Sequence, residues 1–134
     1  MNVLIADDHP LVRDALARTV QQLAADVQVR EAGDLDGLLR LAAQGDADLA
    51  LVDLNMPGKN GFQVLADLKA NERTRLIPVA VYTARDLLPE EEARIRRHAG
   101  KVFLKNPLEP NRMLSDIAEM LAAKRAAGRS LIVR

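Results

Sequence analysis

Five polar residues follow directly on short apolar runs, and their types are those of phosphoryl chemistry. Asp7 and Asp8 come after "NVLIA", Asp53 after "LALV", Thr83 after "VAVY" and Lys105 after "KVFL". Carboxylates brought close together repel and raise one another's pKa unless a cation neutralises them. A hard divalent ion does this well, and Mg2+ typically takes one or two carboxylates, waters and phosphate oxygens. A single Lys105 cannot balance Asp7, Asp8 and Asp53 alone, so a metal is the economical reading. With the metal present, the remaining charge balance favours an incoming dianion such as a phosphoryl group. A carboxylate is itself a competent nucleophile at phosphorus and forms an aspartyl phosphate. Transfer then needs mainly positioning and neutralisation of the three equatorial oxygens. Metal, Lys105 and the Thr83 hydroxyl would supply one contact to each.

That chemistry requires the five residues to meet, which depends on the elements that carry them. Aliphatic or β-branched runs at 2–6, 27–30, 48–52, 77–82 and 101–104 read as strands. Between them lie helical spacings. Leu11, Val12, Ala15, Leu16, Thr19, Val20 and Leu23 share one face, as do Leu35, Leu38, Leu39 and Ala42. Val64, Leu65 and Leu68 form a shorter stripe after Asn60, a suitable N-cap. Pro89 followed by Glu90, Glu91 and Glu92 starts a helix that closes on Arg94, Arg96, Arg97 and His98 before Gly100, with each charge sign at its favoured end. Met113, Leu114, Ile117 and Leu121 mark a last helix.

Five strand–helix units in strict alternation predict a doubly wound parallel sheet with five helices. Strands 1, 3 and 4 are the most continuously apolar and should be central, with strand 2 at an edge. Sites in such sheets form at the carboxyl ends of the strands, near the topological switch point. The expected domain covers residues 1–125, leaving 126–134 as a C-terminal tail. Pro57-Gly58 suits a type II turn that lifts the next helix clear of the pocket.

Composition removes other classes. There is no cysteine, so thiol catalysis, thiolate zinc and disulfides are excluded. Lys+Arg and Asp+Glu number 19 each, so no net positive field draws nucleic acid or anionic lipid to this chain. No basic region precedes the first apolar run and no run approaches a membrane span, so a cytoplasmic location is expected. Neither a dinucleotide fingerprint nor a P-loop is present. A flavin binder would place hydroxyls and amides after strand 1, where Asp7 and Asp8 would repel its phosphate. A metal-dependent phosphatase with an aspartate nucleophile would need a second carboxylate two residues on, where this chain has Asn55.

On these residues the chain resembles the receiver domain of two-component response regulators. "VLIADDHPLVRDAL" is similar to the family's first strand, acidic pair and first helix. "LVDLNMPGKNG" is similar to its phosphorylation loop, "VAVYTA" to its switch-threonine strand and "VFLKNP" to its lysine strand. The resemblance covers about residues 1–123 and implies a flavodoxin-like sheet of order 2-1-3-4-5. It implies Asp53 as the phosphoacceptor, with Mg2+ held by Asp8, Asp53, the Asn55 carbonyl and, mostly through water, Asp7. Lys105 would pair with Asp53 and then with a phosphoryl oxygen. Thr83 would swing inward, Ala84 leaving room for it. From their position alone, Asn55 and Arg85 are expected to flank the phosphoryl group and tune its hydrolysis. A sensor histidine kinase or histidine phosphotransfer protein is the implied donor, and the face of helix 4, strand 5 and helix 5 the implied output and homodimer surface. Such a module catalyses only its own phosphorylation and dephosphorylation. It either stands alone or is trimmed from a regulator with an output domain, "ADDHPLVR" resembling those with a helix-turn-helix. Asn106 separates Lys105 from Pro107, where the family usually has proline directly after the lysine. Val102 stands where it often has an aromatic switch, with Phe103 one later, and the entry to strand 5 is short. A pseudo-receiver that only binds partners is therefore the alternative, ahead of the phosphatase.

Overall fold

Strand and helix alternate five times along the chain: β1 (Asn2–Ala6), α1 (Pro10–Gln21), β2 (Gln28–Ala32), α2 (Leu35–Ala42), β3 (Leu49–Asp53), α3 (Gly61–Ala70), β4 (Val79–Thr83), α4 (Pro89–Arg96), β5 (Lys101–Leu104) and α5 (Pro110–Val133). The computed structural model describes residues 1–54, 61–83, 88–97, 101–104 and 110–133, without the side chains of 61, 101–104, 110–113 and 127–133. The expected Asn60 cap, the Pro57-Gly58 turn and the His98–Gly100 end of α4 lie outside the described residues. All strand pairs are parallel, in the order β2-β1-β3-β4-β5 that the family resemblance implies, with β1, β3 and β4 central as their apolar content predicts. Among the described residues no helix is long and apolar enough to cross a membrane.

Because successive strand residues face opposite ways, each buried strand feeds two cores. Leu4, Ala6, Val52, Val79 and Val81 pack with Leu35, Leu38, Val64, Leu65, Leu68 and Ile95, so α2, α3 and α4 cover one face. Val3, Ile5, Leu49, Leu51, Ala80 and Tyr82 pack with Ala17, Val20, Ile117 and Leu121, so α1 and α5 cover the other. β3 and β4 are buried throughout, whereas β2 buries only Ala32.

Boundaries shift where hydrogen bonds continue past the apolar run. β2 begins at Gln28 and extends to Ala32, because Glu31 and Ala32 pair with Ile5 and Ala6. β3 and β4 each include their terminal polar residue, Asp53 and Thr83. α4 starts at Pro89 as expected, and Glu91 Oε1 accepts from the Leu88 N–H at 3.1 Å. α5 runs from Pro110 to Val133.

The inward face of α1 differs from its periodicity. Ala17 and Val20 are buried, Leu16 and Leu23 pack against them, and Leu11, Val12 and Ala15 are exposed. Arg13 takes the inward place in the first turn and is held there by polar partners at the end of β1. A polar anchor, invisible to a count of apolar positions, sets the rotation of the helix.

Candidate functional site

The carboxyl ends of β1 and β3 bring Asp7, Asp8 and Asp53 together with His9. One ligand atom from each lies within 4.8 Å of all the others. Asp7 is fully buried and Asp53 is 1% exposed, whereas the Asp8 side chain is 27% exposed and that of His9 58%. Asp53 is the last residue of the fully buried β3. Its place in the alternation, with Leu49 and Leu51, directs it to the α1/α5 side of the sheet.

Asp7 is held from several sides. Its N–H donates to the Ala32 carbonyl at 3.1 Å, and its own carbonyl accepts from Arg13 Nη1 at 2.7 Å. Oδ1 accepts from the His9 N–H at 2.9 Å and lies 2.9 Å from His9 Nδ1. Oδ2 accepts from the Tyr82 hydroxyl at 2.8 Å. Burial, followed by the bond to Asp7, raises the Tyr82 pKa far above the usual phenol value, so the hydroxyl stays protonated and donates.

His9 Nδ1 stands 2.9, 3.2 and 3.9 Å from oxygens of Asp7, Asp8 and Asp53, so its ring leans over all three. Asp8 Oδ1 is nonetheless a buried oxygen with no hydrogen-bond partner, the nearby ring nitrogen lying outside bonding geometry. A carboxylate oxygen left without a donor, in a set of three carboxylates, fits a hard divalent cation. Asp7, Asp8 and Asp53, with His9 beside them, are described residues able to hold one.

Thr83 closes β4 and is fully buried. Its position falls on the opposite face to Tyr82, with Val79 and Val81. Asn55, Ala84, Arg85, Lys105, Asn106 and Pro107 lie outside the described residues, as do the side chains of Val102 and Phe103. The structure thus brings Asp7, Asp8 and Asp53 together and sets Thr83 at the end of the neighbouring strand. Tyr82 and Arg13 are additions to the residues picked out by sequence. The signal for Tyr82 was a lone phenol in an otherwise aliphatic central strand, since a buried tyrosine hydroxyl usually finds a partner.

A family model described as "Response regulator receiver domain" matches residues 3–118. Protein PilH of Pseudomonas aeruginosa is 32% identical over 122 residues, covering 90% of this chain and 97% of PilH. The chain spans only 37% and 17% of the length of two further curated relatives. The chemotaxis response regulator CheY4 of Vibrio cholerae superposes with a TM-score of 0.76 at 24% identity, covering 89% of this chain and 97% of that one. The response regulator TrrA of Thermotoga maritima, solved in complex with Mg2+ and BeF, gives 0.74 at 18% identity, covering 89% and 97%. Both likenesses establish the fold.

Proposed function

The chain belongs to the response regulator receiver domain family, and on that premise we propose that it is a phosphoacceptor switch of a two-component phosphorelay. A sensor histidine kinase or histidine phosphotransfer protein would donate the phosphoryl group to Asp53. The observation that carries this reading is the meeting of Asp7, Asp8 and Asp53 at the carboxyl ends of β1 and β3, with Asp53 rigidly seated.

An Asp53 oxygen attacks phosphorus, the bond from phosphorus to the donor's leaving group breaks, and an acyl phosphate forms. Mg2+ held by Asp7, Asp8, Asp53 and the Asn55 carbonyl would supply the positive charge that the clustered carboxylates and incoming phosphoryl group require; the Mg2+–BeF complex of TrrA supports this choice of ion. Burial of Asp7 and Asp53 keeps bulk water from solvating the nucleophile and holds its direction of attack. Lys105 offsets charge on Asp53 and then on a phosphoryl oxygen, and Thr83 donates to another oxygen. Asn55 and Arg85 would tune the rate at which the phosphoryl group is hydrolysed.

Phosphorylation adds close to two negative charges, and inward movement of Thr83 would pass the change to the face of α4, β5 and α5. That face is the proposed output and self-association surface. The chain acts on itself alone, with no separate substrate turnover.

The test is incubation with a small phosphodonor and Mg2+ followed by intact mass. One added phosphoryl group, lost in Asp53→Asn and lost without Mg2+, is expected. No gain with any donor would make the chain a pseudo-receiver that binds partners without phosphorylation. Steady hydrolysis of a phosphomonoester that is not an activated phosphodonor would make it a phosphatase.

A further inference from the structure

We propose that Tyr82 is a positioning residue for the cation site: its hydroxyl holds Oδ2 of Asp7 so that Oδ1 is the oxygen turned towards a divalent ion. The inference rests on the reading of the acidic cluster as a Mg2+ site, and it concerns a side chain outside the cluster itself.

Three observations build it. The first is reach. Tyr82 is the register partner of Asp53 in the β3/β4 ladder, yet its hydroxyl bonds Asp7, which follows β1 on the far side of β3. The side chain therefore spans β3 on the α1/α5 side of the sheet to reach the end of β1. The second is rigidity. Tyr82 is 1% exposed and packed in the core that includes Ile5, Leu51, Ala80 and Ile117, so its hydroxyl is held where the strand puts it. The third is inequivalence. A carboxylate can exchange its two oxygens by a half-turn about its last torsion, which is broad and two-fold. In Asp7 the oxygens have different partners: Oδ2 accepts from the buried phenol, and Oδ1 accepts from the His9 N–H, with His9 Nδ1 also 2.9 Å away. The phenol breaks the symmetry, so the ion meets a carboxylate already turned. Groups that orient a metal ligand from behind typically change metal affinity by an order of magnitude or more when removed.

Tyr82 also carries its own readout. It is the single tyrosine and the chain has no tryptophan, so ultraviolet emission reports this one ring. A phenol donating to a carboxylate is quenched, and charge withdrawn from that carboxylate by a cation relieves the quench.

The experiment titrates Mg2+ into the native chain and into Tyr82→Phe, by calorimetry for both and by emission for the native chain. Rates of Asp53 phosphorylation by a small phosphodonor are then measured across Mg2+ concentration. Tyr82→Phe should weaken Mg2+ binding about ten-fold. It should shift the Mg2+ half-saturation of phosphorylation by the same factor and leave the rate at saturating Mg2+ unchanged. Native emission should rise with a midpoint equal to the calorimetric one. Native binding with equal affinity in Tyr82→Phe would overturn the role of Tyr82 and leave the cation site standing. A lowered maximal rate with an unshifted half-saturation would overturn it too, as a structural effect only. Native emission unmoved by bound Mg2+ overturns it without any variant, which covers the case of a Tyr82→Phe chain that does not fold. Failure of the native chain to bind Mg2+ would instead overturn the reading on which the inference rests.

Discussion

Arg13 reaches back from the first turn of α1 to donate to the backbone carbonyl of Asp7 at 2.7 Å, while its Nε meets Glu31 Oε1 at 3.2 Å. One guanidinium thereby joins α1, the end of β1 and β2 where the acidic cluster begins. Gly33 keeps the space open, since a Cβ there would lie 3.0 Å from Arg13 Nη1.

Arg13→Met keeps the aliphatic stem and removes the donors, leaving a part-buried carbonyl without its partner. The expected loss is about 1–3 kcal/mol in chemical denaturation. Arg18→Met is the control, because Arg18 pairs with Asp14 at 3.1 Å on an exposed face and should cost about 0–1 kcal/mol. Equal losses for the two would show that the clasp on Asp7 contributes nothing particular.

Asp8→Asn removes one charge from a cluster in which an Asp8 oxygen lacks a hydrogen-bond partner. In chelator, the variant should be at least as stable as the native chain, since repulsion falls. In Mg2+ the order should reverse. A bound ion at 100 times its dissociation constant stabilises the native fold by about 2.7 kcal/mol, and most of that gain should be missing from Asp8→Asn. Thermal unfolding with and without Mg2+ measures both halves. A variant that gains as much from Mg2+ as the native chain would take Asp8 out of the site.

Tyr82 gives a pH dependence with a definite sign. Burial raises its folded pKa above the unfolded value, which is about 10. Its contribution to stability is therefore complete below pH of about 10 and declines as pH rises beyond it, because only the unfolded chain releases the proton there. The native chain should lose up to about 1.4 kcal/mol per pH unit relative to Tyr82→Phe over that range. Parallel stability curves for the two proteins would show that the phenol titrates alike in both states.

Much of this was legible because the sheet has buried faces on both sides. Continuous apolar runs identified β1, β3 and β4 as central, and the residue after each run then had to be at the carboxyl edge. Asp7, Asp8, Asp53 and Thr83 could be placed by that rule alone. The rule is silent on lateral reach across the sheet. Tyr82 was read as one more apolar strand residue, because nothing local in "VAVYT" says that its hydroxyl ends at Asp7, 75 positions away. Leu11 and Val12 were read as inward, because apolar periodicity cannot weigh them against one arginine bonded to the backbone. β2 was cut short for a related reason: Glu31 and Ala32 pair with β1 through backbone hydrogen bonds that hydropathy does not register.

His9 gives the last prediction. Its ring nitrogen stands 2.9, 3.2 and 3.9 Å from oxygens of three carboxylates, the place from which a cation would bridge them. Ring and ion therefore compete for the same oxygens. The ring is also exposed over more than half its surface, so little packing opposes its removal. Only differential contact between the free and ion-bound states moves an equilibrium, and here the ring contacts favour the free state. His9→Ala should accordingly bind Mg2+ several-fold more tightly than the native chain, at the cost of a small loss of stability in chelator. Calorimetric titration at fixed pH measures the first and thermal unfolding the second. Weaker Mg2+ binding in His9→Ala would reverse the assignment and make His9 a contributor to the ion site instead of its competitor.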